Sequence, residues 1–348
     1  MIPWKIASAP EEAGLSSKAL MDYLDAVEES KLEHHSVMIY KDGFLAASMH
    51  FAPHTAKTPH VCYSISKPFT SAAAGFAVEE GLLSYDDRVL DVLSDCAPEN
   101  PDPWLEQVTL HHLLCMGSGL KQKSDNLDHI FKPDDVAEDW AKATLAYGCD
   151  AEPGTRFRYN SHGSYLISCM VQKATGMTVR DYLMPRLFEP LGIDKPLWDM
   201  SPQGICCGGW GLYLPCEDML KFGACLAHGG MFGGKQVLPR AWLEAATKVH
   251  IDTADRTPRP TVEWAQGYGY HIWRCTGGRF RGDGSNGQFI IVSPEKKMAV
   301  AMTADLMNLP RAHEMITDYI FSDERQQPAG KDVQEAFAAR VKTLMVKS

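Results

Sequence analysis

Ser64 and Lys67 stand three residues apart, and on a helix that spacing brings both side chains to one face. A serine hydroxyl is a weak nucleophile until a base takes its proton. A lysine amine whose pKa is lowered by burial can do so, which makes Ser64-Ile65-Ser66-Lys67 a candidate self-activating nucleophile. The spacing recurs at Ser118–Lys121 and Ser293–Lys296, so the surroundings must discriminate. Residues 66–80 predict a helix: Pro68 falls in the first turn, Phe69, Ala72, Ala73, Phe76 and Ala77 recur at helical spacing, and Gly81 follows. Ser64 then opens a buried helix, where unpaired N–H groups and the dipole favour negative charge. Ser118 lies between glycines and Ser293 precedes a proline, both in turn-like settings. Taken alone, the first pair still has two readings, a nucleophile with its base or a helix cap with a solvated lysine.

Two further segments could complete such a site. Pro153–Ser161 carries Tyr159 in a turn before a helix. A tyrosine near a lysine ammonium can exchange protons with a serine, although an ordinary half-buried aromatic fits the same local pattern. Gly282-Asp283-Gly284-Ser285-Asn286-Gly287-Gln288 leads into a strand. Its glycines allow close backbone approach and an amide donor for an oxyanion, or simply a hairpin turn.

The elements that must hold these residues follow from periodicity. Residues 16–31 predict an amphipathic helix, and Ser36–Tyr40 and Phe44–Met49 a hairpin around Lys41-Asp42-Gly43. From 85 to 199 the pattern is mostly helical, with helices expected at 108–116, 133–147, 161–175 and 178–188. Strands are expected at Gly267–Trp273, Arg279–Gly282, Gln288–Val292 and Met298–Thr303, then helices at 309–321 and 331–345. Strands at both ends and helices between them predict an α+β fold. Residues 1–84 with 200–348 would form an antiparallel sheet domain flanked by helices, residues 85–199 a mostly helical insertion, and the active site would lie at their seam.

Composition narrows the function. The chain has 348 residues, is 45% hydrophobic and 22% charged, and has a net charge of −10 with no basic tract, which excludes a phosphate-neutralising nucleic-acid surface. No run of about 18 apolar residues suggests a membrane span. The start lacks the basic-then-apolar layout of a secretory signal, which sets a cytoplasmic expectation. Ten scattered cysteines without a CxxC read as reduced core residues, the adjacent Cys206 and Cys207 included. Among thirteen histidines there is no HExxH; His34-His35 and His111-His112 are adjacent pairs, and no metal or other cofactor is expected for the chemistry.

The three chemical segments, in this order and spacing, resemble the serine hydrolases related to class C β-lactamases, penicillin-binding D,D-peptidases and the esterases built on that scaffold. Val108–Leu114 through Gly117–Leu120 resembles the family's VTxxHLLxHxSGL segment. Gly208–Tyr213 with Glu217–Gly223 resembles its GGLxxxxxDxxKFG stretch, and Gly267–Tyr270 its GYGW segment. The likeness covers roughly residues 15–320. It implies Ser64 as the acylated nucleophile, Lys67 as its proton acceptor and Tyr159 as the relay to the leaving group. It further implies Ser161 as a polar contact to substrate or Lys67, Gly282-Asp283-Gly284 beside the substrate, and the backbone N–H groups of Ser64 and Ser285 as oxyanion donors. Where lactamases and peptidases carry lysine or histidine, this chain has Gly282, followed by Asp283. The cation that helps hold a substrate carboxylate is therefore missing, unless Arg279 or Arg281 replaces it. Ser161 replaces the asparagine more typical of lactamases, as in esterase-like members. The resemblance thus implies an acyl-enzyme hydrolase for carboxylic esters or small amides, with a small-molecule substrate and no nucleic-acid or membrane partner. A true β-lactamase or D,D-peptidase, or a non-catalytic ligand-binding homologue, is the alternative.

Overall fold

Val37 and Ile39 alternate with Met38 and Tyr40 along an eight-residue strand, and that alternation builds the sheet of the first of two compact units. The computed structural model describes residues 4–122, 139–254 and 261–346. This unit comprises Met1–Val61, Leu214–Lys235 and Asp283–Ser348. Strand His34–Lys41 pairs antiparallel with Phe44–His50 on one side (Val37 opposite Met49) and with Met298–Ala304 on the other (Ile39 opposite Val300). Gln288–Ser293 extends the sheet beyond Met298–Ala304 in antiparallel register, and Lys5–Ile6 lies parallel on Phe44–His50. Both ends of the chain therefore supply neighbouring strands.

Val37, Ile39, Met49, Phe289, Ile291, Val300 and Met302 form an apolar layer with Leu20, Leu24 and Val27 of helix Ser17–Ser30, Met315 of helix Leu309–Met315 and Phe337 of helix Lys331–Leu344. Helix Cys216–Ala227 packs so closely on the sheet that a Cβ on Gly223 would touch Ala299 and Ile290 at 3.0 Å. On that helix Asp218 and Lys221 form a buried ion pair at 2.6 Å.

The second unit comprises Cys62–Tyr213 and Gln236–Gly282 and is mostly helical. Its central helix, Ser66–Glu79, is buried from Ser66 to Ala77. Helix Ser161–Thr175 packs against it. Helix Arg240–Ala246 sets Trp242 where a Cβ on Gly75 would lie 2.3 Å from the indole, and Trp242 Nε1 donates to Ser71 Oγ at 3.0 Å. Thr109 and His112 form a reciprocal capping box on helix Leu110–Leu114. Strand Trp273–Arg274 pairs antiparallel with Phe280 and Arg281.

The fold is α+β with an antiparallel sheet, as the periodicity predicts, but the boundaries differ. The chain crosses between units at 61/62, 213/214, 235/236 and 282/283, not at 84/85 and 199/200. The Ser66–Glu79 helix goes with the helical unit because Trp242 and the Ser161–Thr175 helix enclose it. The strand expected over Gly267–Trp273 shrinks to Trp273–Arg274. Gly267 (φ +90°) and His271 (φ +57°) turn the chain, and Tyr268 bridges both Ile251 and Trp273. Of the helix expected at 133–147, residues 133–138 lie outside the described residues and Trp140–Ala146 is helical. The helix expected at 178–188 is an α-helical turn, Val179–Leu183, continued by a π turn, Met184–Phe188, around Pro185. No disulfide joins the ten cysteines, and no described helix is long and apolar enough to cross a membrane.

Candidate active site

The chain enters the site through a 3₁₀ turn, Tyr63–Ile65, which runs directly into helix Ser66–Glu79. Ser64 therefore sits two residues before the first residue of the α-helix, and Lys67 lies in its first turn. Ser66 ties the junction down: its Oγ donates to Tyr63 O at 2.7 Å and accepts from Leu212 N at 3.1 Å. Cys62 N also donates to Leu212 O at 2.7 Å.

Lys67 is 1% exposed, and its Nζ has three oxygens around it: Ser64 Oγ at 3.0 Å, Ser161 Oγ at 2.9 Å and the Gly209 carbonyl at 2.8 Å. All four residues belong to the second unit. A carbonyl only accepts, so one N–H is committed to Gly209. The other two partners are hydroxyls, which donate or accept. An ammonium is satisfied by donating three times, and a neutral amine by donating twice and accepting one hydroxyl proton. The arrangement therefore accommodates both states of a proton transfer between Ser64 and Lys67.

Each partner is placed by its own local chemistry. Ser161 is the first residue of its helix, capped by Asn160, whose side-chain oxygen accepts from His162 N at 2.9 Å and Gly163 N at 3.2 Å. Gly209 reaches Lys67 because Gly208 adopts φ +68° and both glycines press on the Ser161–Thr175 helix. A Cβ on Gly208 would lie 2.4 Å from Ser168 Oγ, and one on Gly209 3.0 Å from Ser161 O. Thr70 Oγ1 donates to Gly208 O at 2.8 Å.

Tyr159 lies in the loop before Asn160. Its ring stacks on Trp273 (centroids 5.9 Å apart, planes 11° apart) and stands edge-on to Tyr268. Lys67 Nζ lies 4.7 Å from the Tyr159 ring centroid, so the lysine charge and the phenol share one environment. The helical spacing at 64–67 and the turn at 159–161 thus converge on one amine.

His271, which the motif reading passed over, supports that amine from behind. Its Nδ1 donates to the Lys67 carbonyl at 3.1 Å, which leaves Nε2 to accept from Ser164 Oγ at 3.3 Å. Burial, and then the positive charge of Lys67, hold its pKa down to about 3. The signal in the sequence was weak: a lone histidine after Tyr270, on a backbone whose positive φ periodicity does not reveal.

Gly282 is explained by space. A Cβ there would meet Pro68 Cγ at 3.0 Å and Ile65 Cδ1 at 3.3 Å, so its backbone packs directly on the start of helix Ser66–Glu79. Neither nearby arginine stands in for the missing cation. Arg279 pairs with Glu263 at 3.2 Å and donates to Thr276 Oγ1 at 3.0 Å. Arg281 is fully buried, donates to Glu263 O at 3.1 Å, and lies 4.1 Å from the Trp264 ring centroid. Asp283, Gly284 and Ser285 belong to the first unit. There Ser285 begins a 3₁₀ turn, Ser285–Gly287, which Gln288 Nε2 clasps by donating to Ser285 O at 3.3 Å and Ala304 O at 2.7 Å.

Comparison with known proteins bears on the family and the fold. Penicillin-binding protein 4 of Amycolatopsis lactamdurans is 25% identical over 88% of this chain and 90% of its own length. The 6-aminohexanoate-dimer hydrolase of Paenarthrobacter ureafaciens is 23% identical over 68% and 63%. In structure, EstCE1, a hydrolase with promiscuous acyltransferase activity, superposes with a TM-score of 0.69 at 18% identity, over 88% of this chain and 99% of that one, a likeness of fold. The Beta-lactamase family model matches residues 24–323, and the chain belongs to that family.

Proposed function

We propose that this chain is a serine hydrolase that acts through an acyl-enzyme on carboxylic esters or small amides whose recognition does not depend on a carboxylate. The contact set of Lys67 carries the reading. One buried amine faces Ser64 Oγ at 3.0 Å and also Ser161 Oγ at 2.9 Å and the Gly209 carbonyl at 2.8 Å. In the proposed reaction the Ser64 hydroxyl attacks the substrate carbonyl as its proton passes to Lys67, forming the Ser64 Oγ–acyl bond through a tetrahedral intermediate. The proton then returns, through Tyr159, to the leaving oxygen or nitrogen as that bond breaks. Water reverses the sequence and releases the acid. Ser161 holds the amine on its line to Ser64. His271, which stays neutral above about pH 3, positions the backbone of Lys67 and takes no proton.

The preference for substrates without an essential carboxylate rests on Gly282 and on the engagement of Arg279 and Arg281 by Glu263, Thr276 and Trp264. The penicillin-binding protein among the relatives favours a second reading, a D,D-peptidase or β-lactamase. A panel of short-chain nitrophenyl esters and nitrocefin separates the two. Ester turnover well above nitrocefin turnover, abolished by Ser64→Ala, is expected. Comparable nitrocefin turnover reverses the ranking. If no ester, β-lactam or fluorophosphonate acylates Ser64, as read by intact-protein mass spectrometry, every covalent version fails and a non-catalytic binding protein remains.

A further inference from the structure

We propose that His35, His54 and His60 form a binding site for a divalent transition-metal ion of the zinc type. All three lie in the first unit, and each offers a ring nitrogen such that the three atoms lie within 4.8 Å of one another. The inference is independent of the acyl-enzyme reading, because none of these residues enters it.

The convergence of three ring nitrogens carries the argument, and their outer hydrogen bonds bear on the tautomers. His60 Nδ1 lies 2.9 Å from Thr58 O, and a carbonyl only accepts, so Nδ1 holds the single proton of a neutral His60 ring. His35 Nε2 lies 3.3 Å from Glu33 Oε1, and a carboxylate likewise accepts, which favours the tautomer with the proton on Nε2. The nitrogens left without protons, His35 Nδ1 and His60 Nε2, then face each other at 2.9 Å. Two lone pairs at that distance repel, and a cation between them turns the repulsion into binding. One extra proton would bridge two nitrogens and leave the third ring uninvolved. A metal ion uses all three. His54 is stacked on His35 with ring centroids 3.8 Å apart, and its Nδ1 is buried with no hydrogen-bond partner among the described residues.

The chemistry of the set fits zinc. Imidazole nitrogens suit zinc, copper and nickel, whereas calcium and magnesium prefer oxygen. Two nitrogens 2.9 Å apart and each about 2.0–2.1 Å from an ion subtend roughly 90° there, so a few tenths of an ångström of ring movement opens this pair to tetrahedral spacing, and His54 closes on it from within 4.8 Å. The outer contacts are those that metal-bound histidines normally have: a carboxylate on His35 and a backbone carbonyl on His60 fix the tautomers that aim both inner nitrogens inward. Three protein ligands leave a fourth position for water or a small anion.

The test uses the full chain without a histidine tag, stripped with chelator and titrated with zinc against a chromophoric competitor, then with cobalt. One zinc equivalent and a visible cobalt ligand-field spectrum are expected. His54→Ala and His60→Ala should each weaken zinc at least a hundredfold. Glu33→Gln, which keeps every ligand but loses the carboxylate behind His35, should weaken it about tenfold to a hundredfold. Circular dichroism confirms that each variant is folded, and the wild-type stoichiometry stands even if one is not. The proposal is overturned if the wild type retains no zinc equivalent, or if an equivalent persists unchanged in both histidine variants.

Discussion

His271 donates its Nδ1 proton to the backbone carbonyl of Lys67 at 3.1 Å, so a neutral imidazole fixes the backbone of the proposed base. The native state resists protonation of this ring down to about pH 3, whereas an unfolded chain accepts the proton near 6.5. Between those values the unfolded state binds more protons. Stability therefore rises with pH across the window and is lost as pH falls through it, by up to about 1.4 kcal/mol per pH unit from this group. His271→Asn, chosen because asparagine tolerates positive φ, should flatten the urea-midpoint profile by that amount between pH 6.5 and 4.5. An unchanged slope would show that the ring protonates freely.

Lys67→Arg should be as inactive as Lys67→Ala, each at least about a thousandfold below wild type in kcat/KM for a nitrophenyl ester. A guanidinium stays protonated and cannot accept the serine proton, even though it keeps the charge. If arginine restores a tenth of the activity, Lys67 acts by charge alone.

Tyr159→Phe preserves the stack on Trp273 and removes only the hydroxyl. The expected outcome is a loss of about a hundredfold to ten-thousandfold in kcat with little change in melting temperature. An ester with a very good leaving group should lose less than an alkyl ester, since it needs less help to depart. Equal losses on both would remove Tyr159 from the leaving-group step.

Gly282→Ala puts a methyl against Pro68 and Ile65 at the root of helix Ser66–Glu79. Overpacking of this kind costs about 1–3 kcal/mol, and ester turnover should fall with it, because Ser64 adjoins Ile65. Gly282→Lys should carry the same penalty and gain no nitrocefin turnover. Full stability in Gly282→Ala would show that the contact is slack.

Much of this was legible because local rules and tertiary structure agreed. Pro68, the alanine-rich face and Gly81 announce the Ser66–Glu79 helix, and Asn160 before Ser161 is a strong cap. Val37, Ile39 and the alternation in 288–303 announce the sheet. What was not legible depends on neighbours distant in sequence. Tyr268 through Trp273 has the composition of a strand, but its backbone turns at Gly267 and His271 to meet Ile251, Lys67 and Ser71. The unit boundaries likewise follow from the contacts of Trp242 with Ser71 and Gly75, which no local pattern records. His54 and His60 stand six residues apart, and only the fold of that loop brings them to His35.

The Gly209 carbonyl has a consequence for the origin of any rate enhancement. A lysine side chain free in water samples many rotamers, worth about 2 kcal/mol of entropy. Here a carbonyl and two hydroxyls leave Nζ one heading. That ordering happens when the chain folds, so it is absent from the activation barrier. In the proposed mechanism the amine meets each substrate already aimed, and turnover need not spend time or free energy finding that aim again.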